Sequence, residues 1–354
     1  MGNQNDASGE LEARLVRAAA EGTPLAIVGG GSKSFLGRTP EGEPFHVRAH
    51  RGIVAYEPTE LVITARAGTT LAEIETVLTD GGQMLAFEPP HFGAAATLGG
   101  TVASALSGPR RPYAGAVRDF VLGVKILSGE GRTLTFGGQV MKNVAGYDVS
   151  RLMVGAMGTL GVLLEISLKV LPLPAQTATL GFSLDAAAAI EQMNAWAAKP
   201  VPLSGAYHEK DRLFIRLSGT ARGVAQAIER LGGEVVEDAS HWHALREHQL
   251  EHFHTDKALW RLSVPPATPP MALPGETLID WGGALRWLKS EARGEEIRAA
   301  VSRVGGHATL YRHGDRAGEV YHPLSGPLLK LHQRLKASFD PKGVLNRGRI
   351  YSEL

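Results

Sequence analysis

The chain of 354 residues carries 37 lysines and arginines against 36 acids, a net charge of +1. That balance leaves no electrostatic footprint for nucleic acid or an anionic membrane, and the length favours two domains over one core. Cysteine is absent, so disulfides and thiolate metal sites are excluded, and any electrons handled here need an organic carrier. Met1 to Glu10 is polar, with no basic start and no apolar core, so no signal peptide is expected. No apolar stretch is long enough to span a bilayer, and the expected location is cytoplasmic.

In chain order, Leu11, Leu15 and Val16 recur at helical spacing and predict an opening helix over Leu11 to Ala20. Thr23 to Val28 reads as a strand running into Gly29-Gly30-Gly31. Strands follow at Ile53 to Tyr56 and Leu61 to Ala65, and Thr70 with Glu73 forms a capping-box signature for the next helix. The segment Pro89 to Pro174 is glycine-rich and ends on the apolar run Val162 to Val170. Pro172 and Pro174 punctuate a domain boundary. Beyond it come a helix near Asp185 to Ala198, a strand near Arg212 to Leu217 and a helix over Ala221 to Leu231, the alternation of a smaller α+β domain. Pro265 to Pro274 reads as a loop, and Leu328 to Phe339 as a last helix stopped by Asp340-Pro341.

Three glycine clusters carry the chemical signal. In Val28-Gly29-Gly30-Gly31-Ser32-Lys33-Ser34, side chains that would keep a phosphate off the backbone are missing, and a lysine and two serines stand beside the turn. The dinucleotide fingerprint fails there because Ser34 replaces its third glycine, and the triphosphate loop fails because Lys33 follows Ser32. Alone, this segment is as consistent with a bare turn as with a pyrophosphate cradle. Thr97-Leu98-Gly99-Gly100-Thr101-Val102-Ala103 with Ser107-Gly108, and Gly155-Ala156-Met157-Gly158-Thr159-Leu160-Gly161-Val162, are harder to explain as turns.

The order of these loops resembles the FAD-binding domain of the vanillyl-alcohol-oxidase or p-cresol-methylhydroxylase superfamily. Lys142-Asn143-Val144-Ala145-Gly146-Tyr147-Asp148 is similar to its glycolate-oxidase branch. Asp280-Trp281-Gly282-Gly283-Ala284-Leu285-Arg286-Trp287 and the ending Phe339 to Arg349 resemble the E-subunit family of that branch. The resemblance implies an α+β fold: a two-part FAD-binding domain of the p-cresol-methylhydroxylase type over residues 1–174, and a smaller α+β cap domain over 175–327. A C-terminal helix and tail, 328–354, would return to the FAD domain. It implies FAD with its pyrophosphate on Gly29, Gly30, Gly31, Ser32 and Lys33. Thr97, Gly99, Gly100, Thr101, Ser104 and Gly108 would line the flavin and ribityl side, Gly161 and Val162 the adenosine end, and Asn346 would reach the flavin. Relatives often carry a histidine in the first loop that bonds the flavin; Ser32 and Lys33 stand there, so the FAD is expected to be noncovalent.

The implied function is the FAD-binding subunit of a glycolate oxidase that converts glycolate, a small 2-hydroxy acid, to glyoxylate. Its implied partners are a second, D-type flavoprotein subunit and an iron–sulfur subunit, with any membrane attachment made through the complex. The D-type subunit's histidine motif is cut short here, since Arg316 follows His313-Gly314-Asp315, so no catalytic residue is assigned. The alternatives are an autonomous FAD-dependent 2-hydroxy-acid dehydrogenase and a structural subunit that binds FAD weakly or not at all. Among other residues, His248 and His252 lie four apart and read as a solvated or partner-facing helix rather than a zinc site. Arg110, Arg111 and Arg118 read as surface or interdomain ion-pair formers, with a clamp on a substrate carboxylate as the alternative, and Trp260, Trp281 and Trp287 as interface or core residues.

Overall fold

The computed structural model describes residues 5–138 and 148–354. They divide into two compact units: Met1–Leu106, Ala116–Pro172 and Pro323–Leu354 form one, and Ser107–Gly115 and Leu173–His322 the other.

The first unit opens with helix α1 (Ser8–Glu21), which buries Leu11, Leu15 and Ala18 along one stripe and ends at left-handed Gly22. Strand β1 (Leu25–Val28) runs parallel to β2 (Glu43–His46). On β1's other side, Leu25 bridges to Leu345 of the C-terminal tail. Leu11, Leu15, Leu25, Phe45, Leu127, Leu164, Val344 and Leu345 share one core, so the tail belongs to the hydrophobic centre of this unit. An antiparallel sheet follows, in the order β3-β4-β8-β6-β7, from β3 (Ile53–Glu57), β4 (Val62–Arg66), β6 (Val121–Leu127), β7 (Thr133–Gly137) and β8 (Val162–Lys169). The short strands β5 (Gln83–Met84) and β9 (Leu171–Pro172) pair separately.

The strand expected from Leu61 starts one residue later, because Leu61 adopts a left-handed φ of 56°. Helix α2 (Leu71–Asp80) has the expected Thr70 cap, accepting the Glu73 amide at 3.2 Å. The Glu73 carboxylate does not return the bond, so the box is half formed. Of the Lys142–Asp148 heptapeptide, residues 142–147 lie outside the described residues; Asp148 caps the helix Val149–Leu152 by accepting the Arg151 amide.

The second unit is built on an eight-stranded sheet, β13-β10-β12-β11-β15-β16-β14-β17. Its strands are β10 (Gln176–Ser183), β11 (Leu203–Glu209), β12 (Arg212–Gly219), β13 (Glu234–Val235), β14 (Leu259–Ser263), β15 (Glu276–Asp280), β16 (Leu285–Lys289) and β17 (His307–Arg312). Helices Ala186–Ala197 and Ala221–Leu231 cover Leu180, Leu213, Ile215 and Leu217. Helix Gly294–Arg303 covers Trp260, Leu262, Leu288 and Leu310. Side chains alternate along a strand, so Arg261, between Trp260 and Leu262, points to the opposite face.

That opposite face overturns the expectation for the histidines. His248 sits at a left-handed φ of 54° beyond the end of helix Ser240–Arg246, so it shares no helix face with His252. Both are buried. His248 stacks on Phe253 with centroids 3.9 Å apart and meets Trp287 and Tyr311 edge-on or tilted. His252 bonds the Trp287 carbonyl at 3.0 Å. A solvated helix is therefore wrong here: the rings are worth more against aromatic neighbours than in water. Trp260, Trp281 and Trp287 are likewise buried within their own unit.

Candidate functional site

Where β1 gives way to glycine, the first unit holds a cavity of about 410 Å³. Its wall is the loop Gly29–Ser34, with Thr97, Gly100, Ala103 and Ser104 from helix α3 (Leu98–Ser104) and its cap. Met157 and the tail residues Asn346 and Arg349 complete it. A strand that ends in glycines leaves its next amides without a ladder partner. Among the described residues, the N–H groups of Gly29, Gly30, Gly31 and Ser32 donate no main-chain hydrogen bond. Such unspent donors at a cavity wall suit an anion with several oxygens.

The glycines are required for different reasons. A Cβ at Gly30 would lie 1.5 Å from the Ala95 carbonyl oxygen, so this residue is dictated by close approach of the 93–97 backbone. A Cβ at Gly29 would meet the Thr97 hydroxyl at 2.7 Å. Gly31 has open space but a left-handed φ of +74°, and its carbonyl accepts the Ser34 amide. The loop is therefore a fixed turn pressed against the cap of α3.

Positive charge reaches the cavity from two directions. Buried Lys33 places its ammonium 3.3 Å from the His91 carbonyl and 3.4 Å from the Ser32 hydroxyl. Arg349 donates to the carbonyls of Arg38 at 2.9 Å and Ser34 at 3.2 Å. Main-chain carbonyls help to orient both cations at the cavity wall.

The tail that delivers Asn346 is fastened by a buried ion pair. Lys336 donates to Asp340 at 2.7 Å, to the Leu345 carbonyl at 2.6 Å and to the Thr159 carbonyl at 2.9 Å. Asp340 in turn accepts the amides of Val344 and Leu345. Burial pushes the Lys336 ammonium below its ordinary pKa, and Asp340 opposes that shift.

The structure thus gathers Gly29, Gly30, Gly31, Ser32, Lys33, Thr97, Gly100, Ser104 and Asn346 around one cavity. Others named from the sequence lie elsewhere. A Cβ at Gly99 would collide with Ala67, Thr101 is fully buried, and Val162 is a core residue, while a Cβ at Gly161 would meet Ile126 and Leu127. Gly108 belongs to the second unit, where its carbonyl accepts the Trp281 indole N–H at 3.0 Å. His313 is exposed, at a left-handed φ of 58°. Sequence reasoning missed Arg349 and Ile27. Arg349 follows left-handed Gly348 in the quoted ending and was findable as a cation beside Asn346. Ile27 acts through its main chain, which leaves no signal in residue type.

Known proteins resemble this chain in sequence and in fold. A family described as an FAD binding domain matches residues 7–137. Glycolate oxidase subunit GlcE of Escherichia coli (strain K12) is 52% identical over 349 residues, 99% of each chain. Glycolate oxidase subunit GlcD of Bacillus subtilis (strain 168) is 34% identical over 131 residues, 36% of this chain and 26% of that one. The crystal structure of p-cresol methylhydroxylase with substrate bound superposes with a TM-score of 0.70 at 14% identity, over 97% of this chain and 87% of that one. The fold is of that α+β type, and at 52% identity along essentially its whole length the chain belongs to the glycolate oxidase subunit GlcE family.

Proposed function

We propose that this chain holds FAD noncovalently in the cavity of its first unit and serves as a flavoprotein subunit of a glycolate oxidase complex that oxidises glycolate to glyoxylate. The observation that carries the reading is the convergence of unspent amides at Gly29–Ser32 with Lys33 and Arg349 on one cavity wall. FAD, when bound, supplies the acceptor for the two electrons leaving the hydroxy acid. The protein's part is to neutralise the pyrophosphate with Lys33 and Arg349, to donate amides from the glycine loop, and to hold the tail in place through Asn346. Among the described residues, those lining the cavity include no histidine or tyrosine, which favours a noncovalent cofactor. With no cysteine in the chain, electrons would pass to a D-type flavoprotein and an iron–sulfur subunit.

Flavin absorbance and dye-linked turnover test the reading. The purified chain should be yellow, and acid precipitation should move all flavin to the supernatant. Turnover of glycolate should appear only when the other subunits are added. A colourless chain would favour the purely structural subunit. Strong activity of the lone chain, lost in His313→Ala, would favour an autonomous dehydrogenase.

A further inference from the structure

The second unit contains a cationic cluster that the cofactor site does not use. Arg261 of β14 stands 5.0 Å from the Trp281 ring centroid, and Arg111 stands 4.4 Å from the same ring. Arg261 is half-buried beside Trp287 and Thr309 on the neighbouring strands. It makes no hydrogen bond and no ion pair among the described residues.

Burial pushes the Arg261 guanidinium below its ordinary pKa and Arg111 adds to that, while Tyr311, Asp280 and Tyr321 oppose it. Asp280 accepts the Trp281 main-chain N–H at 2.6 Å. Asp280 offsets part of the charge of this cluster, but Arg261 is half-buried with no hydrogen bond or ion pair among the described residues, and its N–H donors are left for an anion to satisfy.

Trp281 is built to present that indole. Its φ is 54°, a region that bulky residues rarely adopt, and Gly282 and Gly283 follow with positive φ. The indole N–H is tied to the Gly108 carbonyl. Contact with an aromatic ring engages the flat face of the Arg261 guanidinium and leaves its N–H edge for a planar, bidentate acceptor.

We propose that Arg261 and Arg111, held on the Trp281 indole, bind the carboxylate of a small organic acid. The choice of a 2-hydroxy or 2-oxo acid rests on the function proposed above. The test uses the full FAD-loaded chain, with oxalate as a non-oxidisable probe and inorganic phosphate as the competing anion, followed by calorimetry and tryptophan fluorescence. Wild type should bind oxalate saturably and more tightly than phosphate. Arg261→Met and Arg111→Met should each weaken oxalate about 10- to 100-fold at unchanged flavin content, and Arg261→Lys should fall between. Without oxalate, Arg261→Met should melt at the wild-type temperature or higher, because it removes a desolvated charge that makes no hydrogen bond or ion pair. Oxalate affinity untouched by both methionine variants, equal binding of phosphate, or a lowered melting temperature in Arg261→Met would overturn the proposal. A yellow chain indifferent to oxalate sinks this proposal alone. A colourless chain that binds oxalate through Arg261 sinks the cofactor reading and leaves this one standing.

Discussion

The side-chain oxygen of Asn346 accepts the main-chain N–H of Ile27 at 2.7 Å, joining residues 319 positions apart. Its amide donates to the Met157 carbonyl at 2.5 Å, so one side chain ties the tail to β1 and to the third glycine cluster. Asn346→Ala would leave both main-chain groups unpaired, a loss of about 1–3 kcal/mol. FAD affinity should fall by about tenfold or more in a flavin titration. An unchanged affinity would show that the tail does not shape the site.

The Lys336–Asp340 pair makes a second prediction. Lys336→Met removes three hydrogen bonds and strands a buried carboxylate, so unfolding in urea should occur with about 3–5 kcal/mol less stability. Adding Asp340→Asn should recover part of that loss, since the charge is then gone. Equal stability of the single variant and wild type would contradict the pair's role in fastening the tail.

Gly30 and Gly31 should respond differently to alanine. At Gly30 the added methyl meets the Ala95 carbonyl, so the loop or the α3 cap must move and the folded yield should drop. At Gly31 only backbone strain opposes the change, about 1–2 kcal/mol. Gly31→Asn, which tolerates the left-handed region, should be milder than Gly31→Ala. Thermal melts of both alanine variants check the order; a milder Gly30→Ala would refute the close-approach argument.

His252 makes the second unit sensitive to acid. Burial, assisted by Lys289, lowers its pKa from 6.5 to about 4. A group depressed in the folded state stabilises above its unfolded pKa and loses that stability as pH falls towards its folded pKa. Stability should therefore decline between about pH 6.5 and pH 4, by up to about 3 kcal/mol from this residue. His248, also driven down by burial, adds in the same direction. Urea midpoints measured across this range should flatten in His252→Gln; an unaltered slope would mean another group titrates.

The amino-acid order alone determined whatever depends on near neighbours. The stripe Leu11, Leu15 of α1, the Thr70 cap, the apolar run of β8 and the glycine turn after Val28 all follow from spacing and backbone freedom within a few residues. What the tertiary structure decided is which distant groups meet. It put Arg349 and Asn346 on the wall opened by Gly29–Ser32, and sent Gly108 to the Trp281 indole and Val162 to the core. It also turned His248 and His252 inward, because an aromatic cluster assembled from Phe253, Trp287 and Tyr311 outweighs the polarity that a histidine run suggests in isolation. Such pairings arise from burial and hydrogen-bond satisfaction across the whole chain, and no local pattern of residues encodes them.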